Sequence, residues 1–152
     1  MPTPTGGRGN TLVAPADGDS VVTVGGVGSS GVRYPTSSVG PTANQPPRIK
    51  PDVMAQGGAV YIAGTGSTTE FGYNAGTSFA CPLAAGVAVL LLSQHPTATP
   101  MQIRDALRTT ATNAAQPNNF YGWGVVDATA ALDRLETAVH STSWSSLKGA
   151  YR

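Results

Sequence analysis

Short apolar runs alternate along this chain with long stretches broken by glycine and proline, and the runs mark its elements. Ser20-Val21-Val22-Thr23-Val24-Gly25-Gly26-Val27 is β-branched and apolar, bounded by Asp17-Gly18-Asp19 and a glycine cluster. That pattern predicts a buried strand. From Gly28 to Gly58, Pro46-Pro47 and Lys50-Pro51 continue neither helix nor strand, which predicts a long surface excursion. Ala59-Val60-Tyr61-Ile62-Ala63 reads as a second strand, followed by a Gly/Thr/Ser-rich loop up to Gly76. From Ser78 to Gln94 apolar residues fall on nearly every side, the signature of a helix buried all round. Pro82 is expected in its first turn, where a missing N–H costs little.

Pro96 and Pro100 bracket a turn into a second helix. Thr99 reads as its N-cap, Pro100 as its first residue and Gln102 as a near-miss capping residue. Met101, Ile103, Ala106, Leu107 and Ala111 form a one-sided apolar stripe. Asn118 to Val125 reads as extended and glycine-broken, and an amphipathic third helix is predicted from Asp127 to about Val139. Beyond His140 the Ser-rich tail has little pattern and is expected to be poorly ordered. Strands without clean alternation, mixed with helices, favour an α/β layer with a mostly parallel sheet. Two or three strands cannot complete such a sheet, so others come from elsewhere or its edges stay exposed.

Composition narrows the class. Only 11% of the 152 residues are charged, with 19 Gly and 12 Pro, which suits a loop-rich extracellular or periplasmic enzyme. A net charge of +1 without a basic run argues against nucleic acid as a partner. The run Val87-Ala88-Val89-Leu90-Leu91-Leu92 is too short to span a bilayer, so no membrane partner is expected. No signal peptide follows Met1, and the loop-like start suggests a piece cut from something longer. Cys81 is the single cysteine. It excludes an intrachain disulfide and a thiolate metal cluster, and its apolar helix predicts a buried, inert thiol.

The chemistry concentrates at Gly76-Thr77-Ser78-Phe79-Ala80-Cys81-Pro82. A small turn presents a serine at the start of an apolar helix, whose free N–H groups and positive dipole end suit developing negative charge.

Four segments together resemble the subtilisin-like serine peptidases, the subtilase family. The serine segment with Ala85-Gly86 is similar to the family's nucleophile motif. Ser37-Ser38-Val39-Gly40-Pro41 and Lys50-Pro51-Asp52-Val53 with Ala55 and Gly57 resemble the loop and the Lys-Pro-Asp-Val run before it. Ala14-Pro15-Ala16 leading into Val22-Thr23-Val24-Gly25 is similar to the segment behind the specificity pocket. Tyr121-Gly122-Trp123-Gly124-Val125-Val126-Asp127-Ala128 resembles the turn into the closing helix. The resemblance implies the C-terminal part of a subtilisin-like three-layer α/β fold, incomplete here. It implies a loop remnant over 1–10, a partial catalytic domain over 11–139 and a tail over 140–152.

It also implies roles. Ser78 would be the nucleophile of an acyl-enzyme mechanism, and Ala14, Pro15, Ala16, Gly76 and Thr77 would contribute to substrate binding. Asn10, in Arg8-Gly9-Asn10, is a candidate oxyanion donor or an ordinary turn residue. The family's Asp-Thr/Ser-Gly and His-Gly-Thr-x-Val-Ala motifs do not occur in this sequence. His95 lies about 25 Å along the helix from Ser78 by rise alone and reads as a cation at a helix C-terminus; His140 sits in the tail. Asp17, Asp19, Asp52, Asp105, Asp127 and Asp133 read as turn, anchor or helix-surface carboxylates. Lys50 is a conceivable base for a serine–lysine pair, with a structural loop role as the alternative.

Calcium is common in the family, but no ligand cluster in this sequence supports it. Secretion follows from the resemblance. The expected partners are a polypeptide substrate and the missing N-terminal half of the domain. The function implied is a fragment of a serine endopeptidase, inactive alone; the alternative is a non-catalytic binding module that pairs with another polypeptide.

Overall fold

A computed structural model describes residues 10–136 except 65 and 67. The segments expected to form the N-terminal loop remnant (all but Asn10) and the tail therefore lie outside the described residues. Four strands and three helical segments give an α/β arrangement. Strand β1 (Val24–Val27) pairs in parallel with β2 (Val53–Gln56), in the register Val24 to Val53 through Val27 to Gln56. The far side of β2 is bridged by 124–126: Met54 N–H donates to Gly124 O at 2.8 Å and Val126 N–H to Met54 O at 3.0 Å. Strands β3 (Val60–Ala63) and β4 (Phe71–Asn74) form an antiparallel hairpin. Helix α1 spans Thr77–Gln94 and α2 spans Pro100–Thr109; a third helix occupies 128–136.

Packing explains which elements form. Ala80 and Ala84 bring α1 close to Ala55 of the sheet. Leu91 of α1 joins Val53, Ile103, Ala106, Leu107, Ala111, Ala131 and Leu135 in the main core. The stripe of α2 is buried as its spacing predicts, apart from the half-buried Met101. Its start is a full capping box: Thr99 Oγ1 accepts from Gln102 N–H at 3.3 Å, and Gln102 Oε1 accepts from Thr99 N–H at 2.7 Å. Gln102 is thus the third helical residue of a complete Thr-x-x-Gln motif rather than a near miss. Gly122 holds φ +56° against the carbonyls of Pro51 and Asp52, where a side chain would collide.

Several expectations fail for identifiable reasons. The supposed surface excursion contains the most deeply buried segment: Lys50 is 1% exposed, Asp52 and Val53 0%. Prolines end the local pattern there, but the strand starts directly after Asp52 and is sandwiched between β1 and 124–126. The predicted strand 20–27 shortens to Val24–Val27, because β2 pairs with it only from Val24 onward; Val21 and Val22 stay exposed. The loop before Gly76 contains β4, whose Tyr73 sits opposite Tyr61 with ring centroids 5.1 Å apart. Pro82 lies in the second turn of α1, not the first, so the Ser78 carbonyl lacks its usual intrahelical donor.

Helix α1 is not buried all round. Ala80, Ala84 and Leu91 are buried, while Leu83, Val89, Leu90 and Leu92 are 48%, 64%, 62% and 41% exposed. Among the described residues that face is left largely open, with only Leu90 bordering a pocket shared with Ala128, Thr129 and Leu132 of the third helix. By length and composition alone the whole 18-residue helix, of mean hydropathy 1.6, would pass for a bilayer span, although the six-residue apolar run within it is too short. Cys81 is likewise exposed rather than buried, because it shares the uncovered side of the first turns.

Candidate active site

The serine turn is set by two strands. At the end of β2, Gly57 O accepts from Gly76 N–H at 2.6 Å. Gly76, at φ +153° and ψ 156°, is the N-cap and adopts a backbone conformation that suits glycine. Its carbonyl accepts from Phe79 N–H at 3.1 Å, closing the first turn over Ser78. The backbone N–H groups of Thr77 and Ser78 fall among the first-turn donors with no intrahelical acceptor, beside the positive end of the helix dipole.

Ser78 is exposed and opens on a cleft of about 730 Å³ lined by Pro15, Ala16, Val21, Val22, Thr23, Val24, Thr77, Cys81 and Pro82. The cleft is a shallow apolar trough. Of the residues expected to bind substrate, Pro15, Ala16 and Thr77 line it; Ala14 and Gly76 adjoin them in the chain without forming its walls. Sequence reasoning missed Val21, Cys81 and Pro82 as lining residues. The i, i+3 spacing of Ser78 and Cys81 was the available signal, since it puts both on one helix face. Asn10 lies in a local turn, its Oδ1 accepting from Leu12 N–H at 3.1 Å, and is not among the lining residues.

No base stands near the serine among the described residues. His95 is the C-cap of α1, its backbone N–H donating to Leu91 O, which puts it at the opposite end of the helix. His140 lies outside the described residues. Lys50 cannot serve: its Nζ donates to Asp52 Oδ2 at 2.6 Å and to Val21 O at 3.0 Å, fully enclosed. Asp52 is the anchor of this network. Its Oδ2 also accepts from Thr23 N–H at 2.6 Å, and its Oδ1 accepts from Arg108 Nε at 2.8 Å and from Arg108 Nη2. The Arg108 guanidinium in turn lies 4.4 Å from the ring centre of Trp123, a cation–π contact. Every lone-pair direction of a buried carboxylate is thereby answered, the condition under which burial of charge is tolerated. Among the described residues no three His, Cys, Asp or Glu side chains gather as metal ligands.

Known proteins share both pattern and fold. The family profile described as the subtilase family, Peptidase S8, matches residues 3–124. Subtilisin DY of Bacillus licheniformis is 41% identical over 125 residues, which cover 82% of this chain and 42% of that protein. Subtilisin NAT of Bacillus subtilis subsp. natto is 40% identical over 125 residues, covering 82% and 30%. Among solved structures, the self-cleaved protease domain of PatA superimposes with a TM-score of 0.66 at 28% identity, covering 82% of this chain and 44% of that one. Proteases from Pseudoalteromonas arctica give a TM-score of 0.62 at 34% identity, covering 79% and 37%. The chain spans less than half the length of each of these relatives.

Proposed function

The chain belongs to the subtilase family and folds as part of a subtilisin-like α/β domain, and from that premise we propose that Ser78 is the nucleophile of a serine endopeptidase site divided between this segment and further polypeptide. The observation that carries the reading is the exposed Ser78 in the first turn of α1, facing an apolar cleft. In the complete site a histidine would take the Ser78 proton as the hydroxyl attacks a peptide carbonyl. The Ser78 N–H would donate to the resulting oxyanion, whose collapse would break the C–N bond and expel the amine with the proton returned by the histidine, and water would then hydrolyse the acyl group from Ser78. Asn10 is the second oxyanion donor proposed, through its amide Nδ2. Pro15, Ala16 and Thr77, with Ala14 and Gly76 supporting them, would receive the substrate side chain.

The isolated 152-residue chain is proposed to be inactive. Loss of the histidine alone costs a subtilisin about 10⁶ in turnover, a magnitude that belongs to that enzyme and is carried over to this chain by kinship. The partner polypeptide would bring the Asp and His motifs and cover the open face of α1. That uncovered face also supports a second reading, a binding module that docks another polypeptide without catalysis. Secretion is proposed with the enzymatic reading, from family and low charge.

A fluorophosphonate serine probe separates the cases. The chain alone is expected to remain unlabelled. Labelling is expected when it is mixed with a subtilase N-terminal segment carrying both motifs, and Ser78→Ala should abolish it. Stoichiometric labelling of Ser78 in the chain alone would overturn the inactivity. Tight association without any labelling would favour the binding module.

A further inference from the structure

We propose that Arg104 and Arg48, with Lys50 behind them, are positioning residues that hold the cleft wall beside Ser78 in shape and so set its preference for apolar side chains; this rests on the reading of the cleft given above. The wall is the segment 15–22, of which Pro15, Ala16, Val21 and Val22 face the cleft. It pairs with no strand, so its carbonyls must find donors elsewhere. Four of them are taken by side chains. Ala16 O accepts from Thr23 Oγ1 at 2.6 Å and Asp17 O from Arg48 Nη2 at 2.6 Å. Asp19 O accepts from Arg104 Nη1 at 2.7 Å and Val21 O from Lys50 Nζ at 3.0 Å.

Three of those four donors are cations, drawn from two parts of the chain: Arg48 and Lys50 from the loop before β2, Lys50 also belonging to the buried network, and Arg104 from α2. Water ordinarily serves such loop carbonyls and leaves the loop free to move. Charge-assisted bonds from rooted side chains are shorter and stronger, and they tie the wall to the core at alternate points. Arg104 is well placed for this. Its side chain is only 14% exposed, and it reaches back 85 residues to the wall. A trough that discriminates by shape needs walls fixed by supporting contacts. The backbone of 15–22 supplies the shape, and the arginines keep it.

The test uses the 152-residue chain with two readouts. One is amide hydrogen exchange of the wall. The other is the affinity for N-acetylated tetrapeptide amides ending in alanine, leucine or phenylalanine. In Arg104→Met, exchange of the Ala16 and Gly18 amides, which donate to Val13 O and Pro15 O, is expected to rise about tenfold, the scale of one lost charge-assisted bond. Preference for the phenylalanine peptide over the alanine peptide should fall several-fold, while exchange in the cores of α1 and α2 stays unchanged. Arg104→Lys should restore part of both effects, and Arg48→Met should act in the same direction. Should Arg104→Met loosen the whole chain, Arg48→Met decides. An unchanged wall overturns the proposal, as does a loosened wall with unchanged peptide preference or a parent chain that binds none of the peptides. Labelling of Ser78 in the complemented protein judges the active-site reading separately.

Discussion

The segment 50–56 and helix α1 invert what their side chains suggest. The first opens with a lysine, a proline and an aspartate, yet from Lys50 to Ala55 it is buried. The second is an 18-residue helix of mean hydropathy 1.6, yet Leu83, Val89, Leu90 and Leu92 stand in the open. Polarity sets the cost of burial, and partners decide whether the cost is met. Asp52 is tolerated at the centre because two cations and a backbone N–H converge on it. The outer face of α1 stays largely open because, among the described residues, only the third helix borders it, at Leu90.

Three substitutions probe that contrast, from the largest effect to the smallest. Asp52→Ala leaves Lys50 and Arg108 facing each other without their shared carboxylate, and breaking a buried pair in this way costs about 3–5 kcal/mol. Urea unfolding should show the lower midpoint; a change under about 1 kcal/mol would mean that water reaches the network and compensates. Thr99→Ala removes the cap of α2 and should cost about 1 kcal/mol. Because the capping box lies at the surface, the loss should appear as faster amide exchange confined to the first turn of α2. Val89→Ser, at a position 64% exposed, should change stability by no more than about 0.5 kcal/mol. It should reduce self-association seen by sedimentation, since large exposed apolar patches drive association. Strong destabilisation by Val89→Ser would show that the outer face of α1 is covered in solution, which would erase the contrast.

The site is more legible in the sequence than the sheet. Ser78 can be placed at a helix start because small residues before it and an apolar run after it are local signals. The capping residues of α2 are visible for the same reason, although the full reach of Gln102 back to Thr99 shows only in the fold. β2 is hidden because its register and its burial come from β1 and from 124–126, which are distant in sequence. β4 is hidden because Phe71 and Tyr73 alternate with glycine and asparagine, a weak strand signal until Tyr61 pairs across from it. Arg48 and Arg104 give no signal at all. Their targets are backbone carbonyls, which carry no residue identity for a sequence to show.

The sequence by itself determined the family, the serine that identifies it, the places of the helices with Thr99 at the start of α2, and the lack of the Asp and His motifs within these 152 residues. All of these depend on residues close together in the chain, where spacing alone brings groups into contact. Tertiary structure alone decided that Lys50 and Asp52 are a buried anchor rather than loop residues, that Cys81 and one whole face of α1 stay exposed, and that three cations hold the wall beside Ser78. Those outcomes depend on which distant segments meet, and burial and hydrogen-bond satisfaction are properties of the meeting rather than of either segment.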